Sequence, residues 1–161
     1  MRIVTAGEEA ARLLAALHEG CFAPPRAWDD RAMARLLAMP GVCALIATQT
    51  PADGEEAPAG FIMTRLAADE GEILTLCVLP AMRRKGIGAR LLSAALAGLG
   101  MEGARRVFLE VAADNGPALA LYEAAGFART GLRPGYYASP RGRKDAILMA
   151  FTFGEGCGCE S

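Results

Sequence analysis

The sequence predicts a mixed α/β (α+β) domain, with one mixed central sheet of about six to seven strands flanked by about four helices. Three observations predict it. The chain has 161 residues, 53% of them hydrophobic and 22% charged, which suits one packed domain and is short for two. Short apolar runs of β character are interspersed with segments of helical periodicity. Their order is strand, two helices, three strands, helix, strand, helix, two strands, and this is not the regular alternation of a doubly wound sheet. Residues 1–153 are expected to form the single domain and 154–161 a flexible tail.

Residues 2–6 read as a strand and 8–19 as a helix, with Ala11, Leu14, Ala15 and Leu17 near helical spacing. After Pro24-Pro25, Trp28-Asp29-Asp30 opens a second helix with one Asp as N-cap, and Met39-Pro40-Gly41 stops it. Residues 42–48, 59–66 and 72–78 read as three strands, the first two joined by an exposed turn at Pro51-Ala52-Asp53-Gly54. Residues 80–85 form a loop. Residues 87–99 form a helix with Ile87, Leu91, Leu92, Ala95, Leu96 and Leu99 on one face. Residues 106–111 are a strand. Asn115-Gly116-Pro117 starts the next helix and Gly126 ends it, as a glycine just beyond a helix does. Residues 127–137 and 146–152 are the last strands, joined across Ser139-Pro140-Arg141-Gly142.

A net charge of -1 gives no global field for nucleic acid or acidic lipid, so any anion site has to be local. No apolar segment of signal-peptide length precedes Glu8-Glu9, and no run reaches membrane-spanning length; the expectation is a cytoplasmic protein with no membrane or nucleic-acid partner. Five scattered cysteines do not form a disulfide framework. Cys157-Gly158-Cys159 lacks further ligands at zinc-site spacing, and the sole histidine, His18, is distant in sequence, so no metal is expected. His18 falls in an amphipathic helix, where a structural or surface role is expected.

The run Arg83-Arg84-Lys85-Gly86-Ile87-Gly88-Ala89-Arg90 lies between a strand and a helix. Glycines 86 and 88 let an anion approach the backbone without Cβ obstruction. The first N–H groups of the helix and its dipole favour a phosphate there. The segment is neither a Walker A loop nor G-x-G-x-x-G, because Gly-Lys-Ser/Thr is absent and Leu91 stands at the third glycine. A basic surface turn opening an ordinary helix would look the same from these residues alone.

Arg83-x-x-Gly86-x-Gly88 resembles the R/Q-x-x-G-x-G/A signature of the GNAT superfamily of N-acetyltransferases. The preceding strand Ile73-Leu74-Thr75-Leu76-Cys77-Val78-Leu79-Pro80 is similar to the one before that signature. The run from Leu109 through Asp114-Asn115 and Tyr122 to Gly126-Phe127 looks like the bacterial RimI subgroup, as do Tyr136-Tyr137 and Arg143-Lys144-Asp145. The likeness covers about residues 70–149 and weakens before them. Leu79 departs from a common Asp, and the segment from Phe22 to Trp28 is longer than the usual Phe-Pro-Trp.

The resemblance implies the GNAT fold and acetyl transfer from acetyl-CoA to an amine by direct attack. It implies a pyrophosphate cradle at Arg83, Arg84, Lys85, Gly86, Ile87, Gly88 and Ala89, and a further cofactor contact at Asn115, which also reads as an N-cap. Backbone amides near Cys77 and Val78 would polarise the thioester carbonyl. Glu110 would be the base; it interrupts the apolar strand Val107-Phe108-Leu109-Glu110-Val111, and apolar surroundings raise a carboxyl pKa. Tyr122 would be the acid that protonates the leaving thiolate. Trp28, Tyr136 and Tyr137 would contact the acceptor.

Freeing an α-amine at neutral pH costs roughly 1 kcal/mol and freeing a lysine roughly 4–5 kcal/mol, which favours a protein or peptide N-terminus as acceptor. The alternatives are a small-molecule amine (an amino acid, polyamine or aminoglycoside) and a non-catalytic acyl-CoA-binding module. A monomer or weak homodimer is expected.

Overall fold

The computed structural model describes residues 1–22, 26–139 and 141–154. The expected tail, with Cys157 and Cys159, lies outside the described residues apart from Gly154. Seven strands form one sheet: β1 Arg2–Ala6, β2 Val42–Gln49, β3 Ala57–Ala67, β4 Glu70–Val78, β5 Arg106–Ala112, β6 Ala128–Ser139 and β7 Gly142–Thr152. The helices are α1 Ala11–Cys21, α2 Asp30–Ala38, α3 Ile87–Met101 and α4 Gly116–Ala124. The strand order is β1-β2-β3-β4-β5-β7-β6. Only β4 and β5 run parallel; every other neighbouring pair is antiparallel.

Helical periodicity decides which helix covers which face. The α3 stripe of Ile87, Leu91, Leu92, Ala95, Leu96 and Leu99 is the set that the helix buries. With Leu119 and Tyr122 of α4 it packs on Ile62, Val107, Leu109 and Met149 of the sheet. On the opposite face Leu14 and Leu17 of α1 and Met33 of α2 cover Ile46, Phe61 and Met63. Asp29 caps α2 by accepting from the Ala32 N–H at 2.8 Å, and Gly126 at φ +106° ends α4 in a conformation that favours glycine.

Some strands run further than the residue pattern suggested. β4 begins at Glu70 and β7 at Gly142, because antiparallel ladder bonds hold polar ends that carry no apolar alternation.

Two irregularities in the ladders shape the molecule. In β4 the register steps from Met63↔Thr75 to Thr64↔Ile73, so Leu74 is an extra residue that bends the strand. The pairing of β4 with β5 stops just before it, at Glu72↔Phe108. Beyond that point β4 stays on β3 and β5 stays on β7, and the two strands diverge. In β6 the register steps from Arg133↔Ala146 to Tyr137↔Lys144. The bulged stretch is pinned by the Gly135 N–H donating to Asp145 at 2.8 Å and by Arg143 donating to the Gly135 carbonyl at 3.1 Å.

Candidate active site

The gap between β4 and β5 is the centre of the site, and two hollows open from it. One is a groove of about 770 Å³ bounded by Val78, the loop after β4, and the start of α3 and α4. The other is a pocket of about 440 Å³ on the α1–α2 side, toward β6. Tyr122 and Asn115 line both, so the hollows meet at α4.

The groove is built from the glycine loop. Arg84 and Gly86 both have positive φ, +65° and +77°, which turns the chain sharply into α3. Gly86 precedes the helix with no side-chain cap, and the Arg90 N–H is the donor that returns to the Gly86 carbonyl at 3.1 Å. The earlier N–H groups of α3 therefore have no partner inside the helix. A side chain at Gly86 would meet open space; one at Gly88 would meet Leu121 at 3.3 Å and Val78 at 3.7 Å. Gly88 thus lets α3, α4 and β4 converge at the floor of the groove, while Gly86 supplies the backbone turn. Uncapped amides, a bare backbone and the lining arginines Arg83 and Arg84 of the loop fit a pyrophosphate. Of the residues expected in this cradle, Lys85 is exposed and does not line the groove. Asp114, also on the wall, is ion-paired to Lys144 at 2.5 Å, and that partner holds its carboxyl below the usual range.

Strand alternation assigns the backbone at the gap. The Leu79 N–H donates to the Ala59 carbonyl and Gly60 stands opposite Val78, so Cys77 bonds toward β3 and Val78 turns its amide toward the gap. The Val78 carbonyl on that side accepts from Arg83 Nε at 3.0 Å. Of the two amides considered from the sequence, Val78 has the free orientation.

In the pocket, Glu110 of β5 meets three side chains delivered by β6. Arg133 Nη2 lies 3.2 Å from its Oε1, giving the carboxylate a charged partner that the apolar strand did not announce. Glu110, as a hydrogen-bond acceptor and an adjacent negative charge, raises the Tyr136 phenol pKa. The Tyr137 pKa is raised as well, first by burial and then by Glu110. The β6 bulge brings Tyr136 and Tyr137 edge to face, with centroids 4.9 Å apart. Tyr122 is 7% exposed, and burial pushes its pKa well above that of a free phenol, so it stays protonated.

The opposite wall is organised by His18, which is buried rather than on the surface. Its Nδ1 accepts the Trp28 backbone N–H at 3.1 Å, its ring stacks on Trp28 at 4.5 Å and 10°, and it touches Phe22 at 4.5 Å. Burial, aided by the nearby Arg26 charge, lowers its pKa to about 4. Arg26 lies over the Phe22 and Tyr137 rings at 5.4 and 4.5 Å, bridging the α1–α2 segment to β6.

The site therefore brings together Glu110, Tyr122, Asn115, Trp28, Tyr136 and Tyr137, and the Arg83–Ala89 run apart from Lys85. Asn115 is the N-cap of α4, its Oδ1 accepting from the Ala118 N–H at 3.2 Å. Phe22, Arg26 and Arg133 join them without having been expected as site residues. The first two sit in the long Phe22–Trp28 segment, where a cation between aromatics was a readable signal. Arg133 gave none, since its place depends on the register of β6. Among the described residues no cluster of metal-ligating side chains is present, and no helix is long and apolar enough to cross a membrane.

Residues 11–127 match the model of the acetyltransferase (GNAT) family. The chain is 39% identical over 92 residues to [ribosomal protein bS18]-alanine N-acetyltransferase of Escherichia coli K12; the match spans 57% of this chain and 62% of that protein's length. It is 39% identical over 82 residues to an N-alpha-acetyltransferase of Saccharolobus solfataricus, covering 50% of this chain and 47% of that one. Among solved structures, the ribosomal-protein-S18-alanine N-acetyltransferase from Escherichia coli superposes with a TM-score of 0.80 at 30% identity, over 96% of this chain and 98% of that one. Arabidopsis thaliana NAA60 in complex with acetyl-CoA shares the fold, with a TM-score of 0.76 at 19% identity over 94% and 99% of the two chains.

Proposed function

The chain belongs to the acetyltransferase (GNAT) family, and from that premise we propose that it transfers acetyl from acetyl-CoA to the N-terminal α-amine of a protein by direct attack. The observation that carries this reading is the divergence of β4 from β5. It joins a groove suited to a pyrophosphate with a pocket that holds a carboxylate and a buried phenol.

Acetyl-CoA, when bound, supplies an acetyl group activated as a thioester. The α3 N-terminus, with Arg83 and Arg84, binds the anionic end, and the Val78 N–H donates to the carbonyl oxygen that gains charge in the transition state. Glu110 takes the proton of the incoming amine, directly or through one water; Arg133 and Tyr136 fix its carboxylate. Tyr122, kept protonated by burial, donates its proton to the departing sulfur. Trp28, Tyr136 and Tyr137 line the acceptor's path, and their rings leave room for a small first residue. The low cost of freeing an α-amine matches a site with one modest base.

The test is incubation with acetyl-CoA and a panel of free N-terminal peptides, N-blocked lysine peptides and small amines, read by mass spectrometry. Turnover of small amines alone would replace the protein acceptor with a small-molecule one. Binding of acetyl-CoA without turnover of any amine would leave only a binding module.

A further inference from the structure

Three cysteines lie among the described residues, and their settings differ. Cys43 is on the exposed side of β2, its pKa raised by partial burial and the Glu102 charge. Cys77 of β4 is buried, and its pKa is raised by its hydrogen bond to Cys21 and by burial. Cys21, the last residue of α1, is half-buried and lines the groove beside Cys77. Cys77 and Arg83 line the groove with it, and the Arg83 guanidinium is anchored on the Val78 carbonyl at 3.0 Å. This thiol therefore sits beside the stretch of β4 whose Val78 amide faces the gap. On the reading proposed above, the sulfur of the CoA arm arrives there.

We propose that Cys21 is a modification site within the cofactor groove, exchanging with disulfides of the coenzyme A class to form a mixed disulfide that blocks acetyl-CoA. The Cys21 thiolate attacks one sulfur of CoA disulfide. The S–S bond breaks, a Cys21–CoA disulfide forms, and the second CoA leaves as a thiolate with the electron pair. The disulfide is the oxidant, so no other reagent is needed.

Two features make the exchange selective. The cradle that suits an acyl-CoA pyrophosphate also recruits its disulfide, so the reagent is delivered to this cysteine. Hydrogen bonding from Cys77, together with Arg83, lowers the Cys21 pKa, even though the carbonyl end of α1 opposes a thiolate. A lowered pKa supplies more of the attacking thiolate, whereas Cys43 is shifted the other way.

The inference rests on the groove being the acetyl-CoA site, and the experiment separates the two claims. Calorimetry first measures CoA binding to the untreated protein. The protein is then incubated with CoA disulfide at neutral pH, and the adduct is located by intact and peptide mass spectrometry. The expected result is one CoA on the Cys21 peptide, removed by dithiothreitol, with acetyl-CoA binding lost until reduction. Acetyl-CoA in the mixture, or glutathione disulfide as reagent, should slow Cys21 labelling by about tenfold or more, since both remove the advantage of docking. Cys21→Ser should resist loss of acetyl-CoA binding, and Cys43→Ser should behave as wild type.

Labelling confined to other cysteines, labelling indifferent to acetyl-CoA, or a Cys21–Cys77 disulfide in place of the adduct would overturn the proposal. Failure of the untreated protein to bind CoA would overturn the groove reading and the proposal with it. CoA binding without an adduct on Cys21 would overturn the proposal alone.

Discussion

His18 offers a quantitative test of how the acceptor wall is built. It is the only histidine in the chain, so its titration can be isolated. It is 2% exposed, and burial followed by the Arg26 charge lowers its pKa from 6.5 to about 4. The folded value lies below the unfolded one, so the unfolded chain binds more protons between pH 6.5 and about 4. The neutral ring therefore contributes stability that is present above pH 6.5, is lost as pH falls toward 4, and changes no further below that. The full loss is about 3 kcal/mol, of which about 2 kcal/mol falls between pH 7 and pH 5. His18→Gln keeps an acceptor for the Trp28 N–H but cannot titrate. Urea unfolding of both proteins at pH 7 and pH 5 should show the wild type losing about 2 kcal/mol more than the variant. NMR titration of the single imidazole should find it neutral throughout this range. An imidazole that titrates near 6.5 in the folded protein, or equal losses in the two proteins, would mean that His18 is not held neutral by burial.

Glu110→Gln should lower kcat by roughly 10²–10⁴ while leaving acetyl-CoA affinity largely intact, in steady-state assays and calorimetry; wild-type turnover across pH 6–9 would remove Glu110 as base. Tyr122→Phe should lower kcat with cofactor binding retained, because the lost hydroxyl is a proton donor rather than a packing element. Gly88→Asp should fold, since its added atoms meet the flexible end of Leu121 at 3.3 Å, yet it should bind acetyl-CoA at least about tenfold more weakly by calorimetry, because a carboxylate enters the anion cradle. Tyr137→Ala should raise the KM for peptide more than that for acetyl-CoA, since Tyr137 lines the pocket and not the groove.

The helices were the most legible elements. The α3 stripe, the Asp29 and Asn115 caps and the Gly126 stop are local signals, and local geometry fulfils them. The glycine loop was legible for the same reason, being backbone conformation written in residue type. The features that make the site were less so. Nothing in Leu74 marks it as the extra residue that parts β4 from β5, and nothing in Arg133 marks it as the partner of Glu110. Both follow from ladder register, a non-local property that residue patterns constrain only weakly. The cause of the β4–β5 gap is visible only in the ladders. His18 shows the converse: its helical position was clear, but its burial depends on Trp28 and Phe22 closing over it from the next loop.

Which amine receives the acetyl group is decided by mapping the label on a peptide. The peptide should begin with a free alanine and carry an internal lysine, and the product should be fragmented in a mass spectrometer. Acetyl is expected on the N-terminal nitrogen, with no product from the same peptide once its N-terminus is blocked. Acetyl found mainly on the lysine side chain would contradict it.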